Sequence, residues 1–113
     1  EGIAGQTHYC SSKFAVVGFT QALAKELGEY NINVNAVCPG LVRTPMWPKL
    51  LDDMSKRTGL PGEQLWDNWV QQAPLKRPCS PEDIANAVLF LSSEVAKNIT
   101  GEAVGVNSGI RMD

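Results

Sequence analysis

Tyr9 and Lys13 stand four residues apart in a stretch, Thr7 to Gly28, whose composition favours helix, so both side chains lie on one face. That spacing has a chemical use. A phenol, with a reference pKa of about 10, is a poor proton donor or acceptor near neutrality. An ammonium beside it favours the phenolate and makes a tyrosine a usable general acid/base. The same ammonium has three N–H donors, enough to hold ligand hydroxyls as well. Alone, the pair is weak evidence: with two tyrosines and six lysines in 113 residues, one Tyr-x-x-x-Lys is expected by chance about 0.1 times. A tyrosine on a buried helix is more often a packed residue with its hydroxyl tied off.

A second constellation is Pro39-Gly40-Leu41-Val42-Arg43-Thr44, directly after the β-branched run Ile32–Cys38. In open α/β sheets, ligands sit beyond the carboxyl ends of strands. A glycine there lets backbone come close to a ligand, and Thr44 offers a hydroxyl for an amide or phosphate. An ordinary strand-ending turn would use the same residue types. The combination of a Tyr/Lys helix, a turn, a strand and Pro-Gly carries more than either part.

The elements that must position these residues follow from pattern. The first helix is expected from Thr7 as N-cap to Gly28 near its stop. Its apolar residues Tyr9, Phe14, Ala15, Val17, Phe19, Ala22, Leu23 and Leu27 cover more than one stripe, which predicts burial on two sides. Gly18 in its middle costs about 1 kcal/mol relative to Ala, which close approach of a neighbour would explain. Asn31 opens a turn into the strand. Helices are expected over Met46–Lys56 and Glu63–Gln72, separated by Thr58-Gly59-Leu60-Pro61-Gly62. Ser80-Pro81-Glu82-Asp83 joins an N-cap serine, a proline at the first helical position and first-turn acids. Ile84, Ala87, Val88 and Leu91 continue that helix. Ala103–Asn107 reads as a last short strand between Gly101 and Gly109.

The order αβ(αα)αβ predicts an α/β sheet with strands joined through helices. Two strands are too few for a covered parallel sheet, so upstream strands are expected, and the isolated chain should expose apolar strand edge.

Composition narrows the function classes. Hydrophobic residues at 43% and charged residues at 19% are globular values, and 113 residues suit one domain. A net charge of −2 with scattered basic residues, adjacent only at Lys56-Arg57 and Lys76-Arg77, argues against nucleic acid as a partner. No apolar run approaches the roughly 20 residues needed to span a bilayer, so no membrane association is expected. The first residues, Glu1 to Gly5, carry no signal-peptide pattern and read as loop. Cys10, Cys38 and Cys79 make neither a CxxC pair nor a disulfide framework, which fits reduced cysteines in a cytoplasmic protein. A single histidine, His8, gives a zinc site little to build on, and no metal is expected.

Tyr9-Cys10-Ser11-Ser12-Lys13, Val34-Asn35-Ala36-Val37-Cys38-Pro39-Gly40 with Thr44, Pro81-Glu82-Asp83-Ile84-Ala85 with Leu89-Phe90-Leu91, and Ile99-Thr100-Gly101 together resemble the short-chain dehydrogenase/reductase family. The match runs in order over essentially the whole chain. It implies the carboxy-terminal part of a Rossmann-type doubly wound parallel sheet, two strands with covering helices, the amino-terminal nucleotide-binding half being absent. It also implies hydride transfer between NAD or NADP and a carbonyl or alcohol. Tyr9 would be the general acid/base. Lys13 would favour its ionised form and grip the nicotinamide ribose. Pro39, Gly40 and Val42 would contact the nicotinamide end, and Thr44 its carboxamide or the pyrophosphate.

The family's glycine-rich loop, its cofactor-selecting residue and its catalytic serine have no counterpart here, so the chain alone is expected to be inactive. Asn107-Ser108-Gly109 replaces the family's Asp-Gly-Gly, a change expected near the subunit interface and without catalytic consequence. Residues 45–74 correspond to the variable substrate lid, with Met46 and Trp47 expected nearest the cofactor and Trp66 and Trp69 expected in packing. The long insertion is similar to that of polyol, sugar and secondary-alcohol dehydrogenases, sorbitol-6-phosphate dehydrogenases among them. A 3-oxoacyl carrier-protein reductase is the alternative within the family. Lys49, Lys56 or Arg57 would meet a phosphorylated small-molecule substrate, although a solvated helix face suits them better. The resemblance also implies a homo-oligomer. A hypothesis of another class is a non-catalytic oligomerisation or binding module, against which the intact Tyr9/Lys13 pair argues.

Overall fold

Thr7–Leu27 forms the first helix, α1, in the computed structural model, which describes residues 4–111. The expected leading loop therefore falls partly on residues 1–3, outside the described residues. Thr7 is the first helical residue and not the cap. The N-cap is Gln6, which makes no side-chain cap bond. At the other end Gly28 keeps a right-handed φ of −59°, and the chain tightens into a 3-10 turn over Gly28–Tyr30. The left-handed residue that ends it is Asn31, at φ 58°. Asparagine tolerates that conformation through local hydrogen bonding, so α1 stops at the expected glycine and the chain turns three residues later.

The first strand, β1, covers Ala36–Pro39 and pairs in parallel with β2, Ala103–Val106, in the register Ala36 to Ala103 through Pro39 to Val106. It is shorter than the Ile32–Cys38 run predicts. Residues 33–35 meet the facing segment largely through side chains instead. The Asn33 amide donates to the Lys97 and Ile99 carbonyls, both at 2.8 Å, and the Asn35 amide donates to Ile99 at 2.8 Å. Val34 N–H donates to the Thr100 hydroxyl at 2.9 Å, and Gly101 N–H donates to the Val34 carbonyl at 2.7 Å. Asparagine and threonine side chains thus continue the pairing where a regular ladder stops.

Between the strands lie α2 (Trp47–Thr58), α3 (Gly62–Gln72) and α4 (Pro81–Leu91). Gly59 ends α2 at φ 75°, a conformation that suits glycine. At α4 the Ser80 hydroxyl accepts from Asp83 N–H at 3.1 Å while the Asp83 carboxylate accepts from Ser80 N–H at 2.8 Å, a full capping box.

Burial is uneven. Leu51, Leu65, Trp66 and Val70 make a core between α2 and α3, with Leu41, Trp47, Met54 and Trp69 packed against it. By contrast α1 buries only Thr20 and Ala24, and Phe14 and Phe19 remain 56% and 66% exposed. The two-sided burial expected of α1 is therefore not met within this chain. A Cβ on Gly18 would meet nothing within 4 Å, so no neighbour here explains that glycine. A sheet of two strands covers too little of the helix, and Val88, Leu89 and Phe90 on α4 are exposed for the same reason. No helix among the described residues is long and apolar enough to cross a membrane.

Candidate active site

The helix carrying Tyr9 and the strand ending at Pro39 pack against each other, and the short turn between them, with Asn31 left-handed and Ile32 N–H donating to the Leu27 carbonyl at 3.3 Å, turns the chain back. From Leu27 back to Tyr9 the helix axis spans roughly 27 Å, at 1.5 Å per residue. From Ile32 to Pro39 extended chain covers about 23 Å. Tyr9 and the Pro39–Thr44 loop therefore lie at the same end of the α1–β1 layer, beyond the carboxyl end of the strand.

Tyr9 is 42% exposed, and the Lys13 ammonium lies 5.3 Å from its ring centroid. The expected helical spacing thus brings the cation over the face of the phenol, leaving both groups accessible. Ser12, between them, turns its hydroxyl back onto the Tyr9 carbonyl at 2.7 Å.

The loop after β1 is held on several sides. Gly40 N–H donates to the Val106 carbonyl at 3.0 Å, and Cys79 N–H donates to the Leu41 carbonyl at 2.9 Å. The Val42 carbonyl accepts from the Trp47 indole N–H at 2.6 Å. Gly40 has an immediate structural reason that ligand approach did not supply. A Cβ there would stand 2.6 Å from Asn107 Cα and 2.8 Å from Asn107 Cβ, so the glycine lets the ends of the two strands close on each other.

The Asn107-Ser108-Gly109 turn, which sequence reasoning left outside the site, therefore abuts the candidate cofactor loop. Ser108 and Gly109 take φ values of 54° and 81°. The Asn107 side chain braces the turn, accepting from Gly109 N–H and donating to the Arg111 carbonyl, each at 3.0 Å. The end of the lid returns to the same place, with Leu75 N–H donating to Ser108 at 3.2 Å. The replacement of the family's pattern was visible in sequence; its neighbours were not.

In the lid, Met46 is 64% exposed just before α2. Trp47 is half-buried, and its ring meets Trp66 edge-on at 4.8 Å and Trp69 at 5.8 Å. The Trp66 and Trp69 pair packs as expected. Lys56 lies on a solvated face, paired with Asp52 at 2.9 Å, whose hydrogen bond and charge hold its ammonium above the ordinary value. A concavity of about 650 Å³ lies elsewhere, lined among others by Asn33, Val37, Val88 and Leu91, and none of the candidate site residues line it.

A family model described as enoyl-(acyl carrier protein) reductase matches residues 1–111. The 3-oxoacyl-(acyl-carrier-protein) reductase of Aquifex aeolicus is 43% identical over 109 residues, covering 96% of this chain and 40% of that protein. The sorbitol-6-phosphate 2-dehydrogenase of Erwinia amylovora superposes with a TM-score of 0.92 at 34% identity, over 99% of this chain and 44% of the other. An actinorhodin polyketide ketoreductase variant solved with NADPH gives a TM-score of 0.88 at 35% identity, over 97% and 42%. The chain belongs to the short-chain dehydrogenase/reductase family of oxidoreductases, and its two parallel strands with their helices form part of a Rossmann-type fold. It spans about two fifths of the length of the relatives it matches.

Proposed function

We propose that this chain carries the acid/base pair and the nicotinamide-side loop of a NAD- or NADP-dependent oxidoreductase acting on a secondary alcohol, polyol, sugar or the corresponding ketone. The observation that carries the reading is the Lys13 ammonium over the face of an accessible Tyr9. The residues present suit a nicotinamide cofactor: an ammonium for ribose hydroxyls at Lys13, backbone at Pro39, Gly40 and Val42, and a hydroxyl at Thr44. When bound, that cofactor supplies or accepts the hydride. The Tyr9 oxygen moves the matching proton, taking it as phenolate from the alcohol oxygen in oxidation and returning it as phenol to the carbonyl oxygen in reduction. Met46 and Trp47 stand at the substrate side.

A 3-oxoacyl thioester is the second substrate reading, favoured by the Aquifex relative's 43% identity. The glycine-rich loop and catalytic serine that the family uses are not found in these 113 residues, so the chain is proposed to need a further segment for activity. A second copy of the chain, covering Phe14 and Phe19 on α1, and a cytoplasmic location complete the proposal.

The test is turnover of the full gene product on polyols, ketoses and 3-oxoacyl thioesters with each cofactor, beside the 113-residue chain alone. Oxidoreductase activity confined to the full product is expected. Sustained turnover by the short chain would contradict the need for more, and none in either would remove the enzyme reading.

A further inference from the structure

The lid and the candidate cofactor loop are joined by two contacts that neither the Tyr9/Lys13 pair nor the family resemblance requires. The first is the 2.6 Å hydrogen bond from the Trp47 indole to the Val42 carbonyl. Its donor cannot swing away freely, because the ring is wedged against Trp66 and Trp69 beside the buried Leu51, Leu65 and Val70. The second involves the next residue. Arg43 places its guanidinium 4.7 Å from the Trp66 ring centroid and pairs with Glu63 on α3 at 2.5 Å. Leu41, on the other side of Val42, packs against the same core.

Three consecutive loop residues therefore bear on the α2–α3 core. A carbonyl pinned by a rigid donor fixes the plane of the Val42–Arg43 peptide, which is the backbone offered to the nicotinamide end. An exposed ion pair such as Arg43–Glu63 adds little energy, so the indole bond carries the coupling.

We infer that Trp47 is a positioning residue. It sets the Val42 peptide for the cofactor and ties the Pro39–Thr44 loop to α2–α3, so that loop and lid respond to cofactor as one body. The inference rests on the proposed cofactor role of that loop. It differs from a role for Trp47 as substrate wall, where the ring would matter and the N–H would not.

Trp47→Phe separates the two, because it keeps an aromatic ring and removes the donor. In the full gene product, titration with NADH and NADPH by cofactor fluorescence should show Trp47→Phe binding about five-fold more weakly, the size expected for one lost hydrogen bond. The KM for cofactor should rise with it, by a larger factor than any fall in kcat at saturation. Trp66→Phe, which alters lid packing without touching a loop carbonyl, should leave cofactor affinity unchanged. The unsubstituted protein supplies an independent readout. Saturating cofactor should slow limited proteolysis within residues 45–74, and that protection should be lost in Trp47→Phe at equal occupancy.

Unchanged cofactor affinity in Trp47→Phe, an equal loss in Trp66→Phe, or lid cleavage indifferent to cofactor in the unsubstituted protein would overturn the inference. Failure of the unsubstituted protein to bind either cofactor would instead sink the dehydrogenase reading, and this inference with it.

Discussion

The α2–α3 lid buries Leu51, Leu65, Trp66 and Val70 within its own short length, while the 21-residue α1 that carries Tyr9 and Lys13 buries only Thr20 and Ala24. The proposed substrate segment brings its own core, whereas the helix with the proposed acid/base pair buries little within this chain. A segment with its own core can vary in length and lining while the Tyr9/Lys13 pair stays where it is. The price is that α1 leaves Phe14 and Phe19 uncovered unless another surface meets them.

The largest effect expected from this contrast is at Trp66. Trp66→Ala should cost about 3–5 kcal/mol of lid stability, the range for deleting a buried large aromatic. Hydrogen exchange in α2 and α3 should report it. Phe19→Ser on the exposed face of α1 should change the stability of the 113-residue chain by less than about 0.5 kcal/mol, as surface substitutions do. Equal costs at the two sites would break the comparison. In the full gene product, a large cost at Phe19 would sharpen it by showing that α1 is covered there.

Next in size is the junction of the two regions. Gly40→Ala places a carbon against the Asn107 backbone, where no flexible side chain can yield, and should destabilise by about 1–3 kcal/mol in chemical denaturation. An unchanged midpoint would show that the strand ends have room to part.

The smallest effect lies at α4. Ser80→Ala removes one half of the capping box and should cost about 1 kcal/mol. Its partner gives a pH signature. The Ser80 backbone N–H, and after it the Ser80 side chain, hold the Asp83 carboxyl below its ordinary range. A carboxylate with a lower pKa folded than unfolded stabilises the fold above the unfolded value, and that contribution fades as pH falls through the folded one. Below about pH 4 the unsubstituted chain should therefore lose stability more steeply than Asp83→Asn. Parallel pH profiles would contradict the assignment.

How much was legible in the sequence tracks how local each signal is. The start of α4 could be read because Ser80, Pro81 and Asp83 act within one turn. The αβ(αα)αβ order and the Tyr9/Lys13 face were legible for the same reason. The length of β1 was not, because Ile32 to Asn35 look like strand while their partners, Lys97 to Glu102, lie more than sixty residues on. The stop of α1 at Gly28 was legible, but the left-handed residue that turns the chain is Asn31 and not the glycine. The bond from Trp47 to Val42 joins residues five apart, yet it depends on how the α2–α3 core holds the ring. The closing of Asn107 on Gly40 depends on the register of two distant strands, which no local pattern states.

The most direct measurement of the central claim is turnover of the full gene product carrying Tyr9→Phe, read beside its affinity for NADH and NADPH. The phenol as acid/base predicts a fall in kcat of at least about a hundredfold with cofactor affinity retained. Turnover equal to that of the unsubstituted protein would contradict the role assigned to Tyr9 and, with it, the reading of the Tyr9/Lys13 pair.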